Sequence, residues 1–253
     1  MRISSAHNSN GFTLVETMAA LFSITLSVAL VMVLYTSSYV RYSVEEDRSD
    51  SRSHCQSAMD YVLRDIRASS AVLSSYGAYT GSSSCLVLQA PAYDASGIIS
   101  CSYDYIAYWM DDQGKLRRAV SPAAGSLRQT ETGRDLVSSL SALAFHYFCR
   151  NTFTGDGTTT SFVVARNWTA SPTVIVNGAV VSTTYDPGTR TVYLSSAPTS
   201  GAVIEAVYPI SATDSAAKPD VYAVTVNISS TRNTGRAAQT VSLEAMARMR
   251  NKR

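Results

Sequence analysis

The sequence predicts an α+β protein: a long N-terminal helix, apolar at first and amphipathic after, packs on an antiparallel β-sheet that carries an inserted small all-β segment. Three observations predict it. An uncharged apolar run lies near the start, a stripe of apolar residues at helical spacing follows it, and after Gly77 come short runs rich in β-branched and aromatic residues, punctuated by turn residues.

With 253 residues the chain can hold one large domain or two small ones around a real core. It is 45% hydrophobic and 16% charged, charge-poor for a soluble domain but ordinary for a folded domain on a membrane anchor. The formal net charge of +2 is too slight for a nucleic-acid partner, and none is expected. The cysteines, Cys55, Cys85, Cys101 and Cys149, form no CxxC pair. That argues against a zinc site and leaves disulfides open in an oxidising compartment.

The apolar run comes first. No charged residue lies between Thr17 and Val40. As a helix, Phe12 to Leu34 is roughly 34 Å long at 1.5 Å per residue, enough for a hydrocarbon core of about 30 Å. A secretory signal peptide is the rival reading. The run exceeds the usual h-region and is followed by no convincing A-x-A-like site. Tyr35, Tyr39 and Tyr42 cluster at its far end, where aromatic rings favour the interface, and Arg2 precedes it, so the N-terminus is expected inside and the body outside.

Glu16 is the anomaly in this run. A carboxylate at the centre of a spanning helix costs about 2.5–3.5 kcal/mol, less near the interface, so it wants a cationic partner or a function. A cut between Gly11 and Phe12 would create an α-amino group four residues before Glu16, on the same helical face. In a packed assembly the carboxylate could instead reach the amine of a neighbouring subunit. The bland alternative is an interfacial glutamate that snorkels.

"GFTLVE" followed by an uncharged apolar helix resembles the class III signal of type IV pilins and type II secretion pseudopilins. The resemblance implies that Gly11 is the prepilin peptidase cleavage position, Phe12 the N-methylated residue and Glu16 the assembly glutamate. Residues 1–11 are then the leader and 12–40 the transmembrane helix. Major pilins often carry a proline midway along this helix. Here the first proline is Pro91, which favours a minor pilin or a pseudopilin.

Residues 41–75 read as the outer, amphipathic part of the same helix. Cys55, Met59, Val62, Ile66 and Leu73, with small Ser69 and Ser70 between the last two, form the core-facing stripe. Asp60 and Arg64 lie four apart on the polar side. "VEEDRSDSRSH" reads as a solvated face or a contact with sister subunits.

Residues 76–150 and 210–253 are expected to form the sheet. Its candidate strands are "CLVLQAP", "SCSYDYIAYWM", "KLRRAV", "LSALAFHYFCR", "VYAVTVNISS" and "TVSLEAMARM", and "DDQG" makes a tight turn with Gly114 free to take positive φ. The order "LRDIRAS", then "Y-x-Y…G-K-L-R-R", then "LVSSLSALAFHY" is similar to the PilW-like minor pilins and the J-type pseudopilins.

Residues 151–209 shift to Thr, Val, Gly and Pro, with Asn177-Gly178 and "DPG" at 186–188 as turn signals. "FTGDG" and the "VNG" hairpin resemble small β-modules of phage tail fibres and bacterial surface proteins. The segment is expected to be a self-contained and removable insertion, serving as a binder of a surface, a glycan or another subunit, or as a spacer.

Cys85 and Cys101 bracket a Gly- and Pro-containing loop and are expected to pair, worth roughly 3 kcal/mol in the chain-entropy model. Cys55 and Cys149 then pair with each other or stay as buried thiols. Four cysteines allow three pairings, and sequence alone does not choose among them.

No catalytic, metal-binding or cofactor-binding constellation is expected. His7 leaves with the leader, His54 and His146 stand apart from any triad pattern, and "GDG" at 155–157 reads as a turn rather than a calcium loop. Arg248, Arg250, Lys252 and Arg253 read as a solvated basic tail. The expected function is that of a minor pilin in the tip or priming complex of a type IV pilus. It would sit in the bacterial inner membrane before assembly and at the periplasm or pilus tip after it. Expected partners are the prepilin peptidase, other pilins or pseudopilins and the inner-membrane assembly platform. The alternatives are a J-type pseudopilin of type II secretion and a permanently anchored adhesin using the β-module.

Overall fold

The computed structural model describes residues 13–138, 140–214, 218–233 and 238–249. Gly11, Phe12 and the leader lie outside the described residues, as do Arg250, Lys252 and Arg253. The fold is α+β, one long N-terminal helix followed by a β-rich region whose strand pairings are antiparallel. The chain divides into two compact units, Met1–Ser49 and Asp50–Arg253, and helix α1 (Leu14–Ala68) begins in the first and ends in the second.

In the first unit the helix presents its apolar side chains all round, with Leu14, Phe22 and Val31 each more than 60% exposed. Its most apolar stretch has a mean hydropathy of 2.3, and among the described residues it is the helix long and apolar enough to cross a membrane. Its hydroxyls are compatible with such a setting. Ser23, Thr25, Ser27, Thr36 and Ser37 each donate to a helix carbonyl three or four residues back, so the polar groups are satisfied within the helix.

In the second unit α1 buries Cys55, Ala58, Met59, Val62, Leu63, Asp65 and Ile66, the stripe expected from sequence with one carboxylate set in it. The helix ends at Ala68, short of the expected Leu73. Ser69 turns its hydroxyl back to the Asp65 carbonyl at 2.6 Å, and the Ser70 N–H donates instead to the Gln89 carbonyl at 2.8 Å, which draws the chain into the sheet. Val72 rather than Leu73 is the residue buried there. Arg64 lies over the Tyr61 ring at 4.9 Å.

The strands divide between two main sheets rather than forming one. The first has the order β1-β4-β5-β6-β7, from β1 (Ala71–Val72), β4 (Cys85–Tyr93), β5 (Ile99–Met110), β6 (Leu116–Ser121) and β7 (Glu131–Val137). A small hairpin of β2 (Ser75–Tyr76) and β3 (Tyr79–Thr80) precedes β4. The second sheet runs β11-β10-β14-β8-β15-β16, from β8 (Leu140–Thr154), β10 (Thr173–Val176), β11 (Ala179–Val181), β14 (Val203–Ile210), β15 (Val221–Asn233) and β16 (Ala238–Arg248). β9 (Ser161–Val163), β12 (Thr183–Asp186) and β13 (Thr191–Leu194) form a third, small sheet. The β5–β6 turn closes at Gly114 with φ +70°, where an added Cβ would lie 2.6 Å from the Leu140 carbonyl oxygen. Asn177 and Gly178 take φ of 48° and 85°, the two positive values of a type I′ hairpin.

The expectation of a self-contained module at 151–209 is corrected by this topology. β14 lies beside β8 over eight register pairs, from Val203↔Thr154 to Ile210↔Tyr147, and so continues the sheet that β15 and β16 complete. Phe162, Val174, Val192, Ile204 and Tyr208 belong to the same buried cluster as Val62 of α1 and Tyr147 of β8. Asn151 accepts the Tyr208 hydroxyl at 2.6 Å and the Ala165 N–H at 3.0 Å, and Arg166 pairs with Asp220 at 2.6 Å.

The expected Cys85–Cys101 disulfide is corrected as well. The two residues do bracket a connection, but that connection is the β4–β5 hairpin, in which Cys85 lies opposite Trp109 while Cys101 sits beside the Tyr93↔Ile99 end. Eight residues of strand separate Trp109 from Cys101, about 27 Å at 3.4 Å per residue, far beyond disulfide reach. Cys101 is an exposed thiol, and Cys55 and Cys149 are buried. Burial pushes the Cys55 thiol up from its ordinary pKa.

Candidate functional site

Glu16 lies in the first turn of α1. Its Oε2 accepts the backbone N–H of Thr13 at 2.9 Å and the Thr13 hydroxyl at 3.0 Å, while the Thr13 Oγ1 accepts the Glu16 N–H at 3.3 Å. This is a reciprocal capping box, in which threonine and glutamate three residues apart satisfy donors that the helix start leaves open. The negative charge also sits at the positive end of the helix dipole. The sequence signal for this cap is "TLVE", a T-x-x-E pattern directly before an apolar run, which gives Glu16 a partner without any cation.

The sequence motifs "LRDIRAS" and "GKLRR" are brought together within the second unit. Arg118 on β6 donates through Nη2 to Asp65 Oδ2 on α1 at 2.9 Å and through Nη1 to Glu131 Oε2 on β7 at 2.6 Å. Its Nε donates to the same Asp65 oxygen at 3.1 Å, and the Tyr108 hydroxyl on β5 donates to it at 2.5 Å. Asp65 is 8% exposed and Tyr108 fully buried, so a carboxylate in an apolar stripe is held by donors from two strands. Burial, and after it the charge of Asp65, pushes the Tyr108 phenol well above its ordinary pKa. The cluster fixes α1 to the first sheet.

Lys218, in a short 3-10 turn at Lys218–Asp220, is a second buried charge and was not singled out from sequence. Its Nζ lies 3.1 Å from the centre of the Tyr147 ring and has no hydrogen-bond partner among the described residues. Burial lowers its pKa to about 7, against the opposing pull of Cys85 and Asp214. The unfolded amine titrates near 10.5. Between these values the unfolded chain binds more protons than the folded one, so the strain is relieved as pH rises through that window and is fully present below about 7. Lys218→Met is therefore expected to stabilise the body by about 1–3 kcal/mol near pH 6, with the gain vanishing towards pH 10.5. Urea midpoints of wild type and variant across pH check it.

His54 and His146 are both exposed, on α1 and β8. At the "GDG" turn, Asp156 accepts the N–H groups of Thr158 and Thr159 and the Thr159 hydroxyl, and these bonds hold its carboxyl far below the usual range. Arg248 stacks over the Tyr222 ring at 5.4 Å. No protein-family model matches this chain and no curated protein matches it, so its functional reading rests on these residues themselves.

Proposed function

We propose that the chain is a minor pilin of a type IV pilus, an assembled structural subunit of the tip or priming complex rather than an enzyme. The observation that carries this reading is the apolar first part of α1, exposed over residues 14–39, with Glu16 as its one acid before Val40 and "GF" just ahead of it. Prepilin peptidase cuts after Gly11 and the new terminus at Phe12 is methylated. The capping box supports an assembly role for Glu16, because it holds the carboxylate at the end of the helix where cleavage creates an amine. In an assembly the same carboxylate exchanges the Thr13 N–H for the amine of a neighbouring subunit, which sets axial register. The helix anchors the protein in the inner membrane with its N-terminus in the cytoplasm, and other pilins and the assembly platform are its partners.

Intact-mass measurement of the membrane-extracted protein tests this reading. The expected mass is that of a chain starting at methylated Phe12, and Gly11→Val is expected to leave full-length precursor. An unprocessed Met1 terminus in the wild type overturns the pilin reading. A deletion strain scored for surface pili and for secretion is expected to lose the pili, and loss of secretion alone would assign the chain to a secretion pseudopilus instead.

A further inference from the structure

The outer face of the first sheet holds a hollow that no part of the pilin reading uses. Three rows of side chains cross β4, β5 and β6 on that face: Gln89–Tyr105–Ser121, Val87–Ala107–Ala119 and Cys85–Trp109–Arg117. The middle row is small, so the sheet surface sinks between Tyr105 and Trp109. The β2–β3 hairpin lies over the same face. It stacks Tyr76 on Tyr105, with ring centres 3.8 Å apart and planes 12° from parallel, and sets Tyr79 against Trp109 at 4.7 Å. Gly77 makes the tight turn between them with φ +58°. The result is a cavity of about 240 Å³ with an aliphatic floor and phenol walls, and with Ser121, Thr130, Glu131 and Thr132 along one side.

The lining defines the chemistry of an occupant. The cavity falls below the range of about 300–1,000 Å³ typical of drug-sized ligands, so it admits a single ring. The ring is uncharged, because the one charged residue of the lining, Glu131, lies opposite Val120 and gives its carboxylate to Arg118 at 2.6 Å on the face toward α1. It is also amphiphilic. A hydrocarbon ring would match the floor and the walls alone, whereas a ring carrying hydroxyls at its edge and C–H groups on its faces also matches the polar residues of the rim, Ser121, Thr130 and Thr132. We propose that the hollow beneath the β2–β3 hairpin is a binding site for one neutral pyranose ring, free or at the end of a glycan chain. It lies in the first sheet and is separate from the surface or glycan contact expected of residues 151–209.

The test is ligand-detected saturation-transfer NMR on the full chain in a zwitterionic, sugar-free detergent. The probes are glucose, galactose, mannose, N-acetylglucosamine and N-acetylgalactosamine, with the matching methyl glycosides to represent a chain end. At least one is expected to bind saturably in the millimolar range. Equal binding of the methyl glycoside indicates a glycan terminus, and its exclusion indicates a free sugar. Ala107→Leu fills the hollow from its floor and Tyr79→Ala opens its wall, and each is expected to weaken binding tenfold or more in protein whose circular dichroism melt shows a cooperative fold. Two variants are used so that a folding failure of one leaves the other decisive. Absence of transfer to every sugar overturns the proposal. So does undiminished binding in a folded variant, or saturable binding of phenol with no sugar bound, which would make the hollow a slot for an aromatic side chain.

Discussion

Replacing residues 152–209 with a short Gly/Ser turn is expected to unfold the body. The loop closure itself is inexpensive, because its free energy grows only with the logarithm of length. What decides the outcome is the surface the deletion uncovers on the residues that stay. β8 loses its own last three residues and the β14 partners of Phe148, Cys149, Arg150 and Asn151, and becomes a bare edge where it was a central strand. Cys149, now buried, loses Tyr208 as its cross-strand neighbour, and Tyr147 keeps Ile210 only as the first residue after the new turn. Asn151 loses the Tyr208 hydroxyl and Asp220 loses Arg166. Fully burying one large apolar side chain is worth about 1.5–3 kcal/mol, so exposing a few of them consumes most of the 5–15 kcal/mol that holds a typical domain folded. The expected result is rapid proteolysis in the cell and loss of the cooperative melt in vitro. A shortened protein that melts like the wild type would restore the reading of 151–209 as a separable module.

The same segment shows where sequence stops being legible. Alternation in "VIEAVYPI" marks β14 as a strand with Ile204, Ala206, Tyr208 and Ile210 on one face, and that face is the buried one. Alternation says which side chains point together, not which strand lies alongside, so the pairing of β14 with β8 could not be read. The composition shift at 151 reads as a boundary in sequence, but it reflects an exposed rim of Thr and Gly on strands whose inner residues join the common core. The six strands expected from apolar runs all formed, within a few residues. β7 was missed because "ETGRDLV" is a polar edge strand held by β6 and buries only Val137. The cysteine pairing failed for a register reason: residues bracketing a connection are close only when they are equally far from its turn. Of the site residues, Glu16 is legible from its charge and its cap from the T-x-x-E spacing, and Asp65 from its place, since a carboxylate three residues after Val62 and one before Ile66 has to be paired.

That pairing carries the second large effect. Arg118→Met alone is expected to destabilise the body by about 3–5 kcal/mol, because it strands the Asp65 carboxylate in an apolar stripe with only the Tyr108 hydroxyl to serve it. For a domain of this size the loss lowers the melting temperature by about 6–20 °C. Arg118→Lys is expected to recover little. Arginine reaches Asp65 through Nε and Nη2 and Glu131 through Nη1, whereas an ammonium cannot span both carboxylates in that planar geometry. The triple variant Asp65→Leu, Tyr108→Phe, Arg118→Met removes every polar atom that would be left buried, and its stability is expected to return to within about 1–2 kcal/mol of wild type or to exceed it. Glu131 then keeps Arg134 nearby and partial access to solvent. Urea midpoints of wild type and the three variants, measured on the full chain in detergent, check the series. If the triple variant is as unstable as Arg118→Met, the network contributes favourable binding of helix to sheet beyond satisfying its own charges, and an apolar seam cannot replace it.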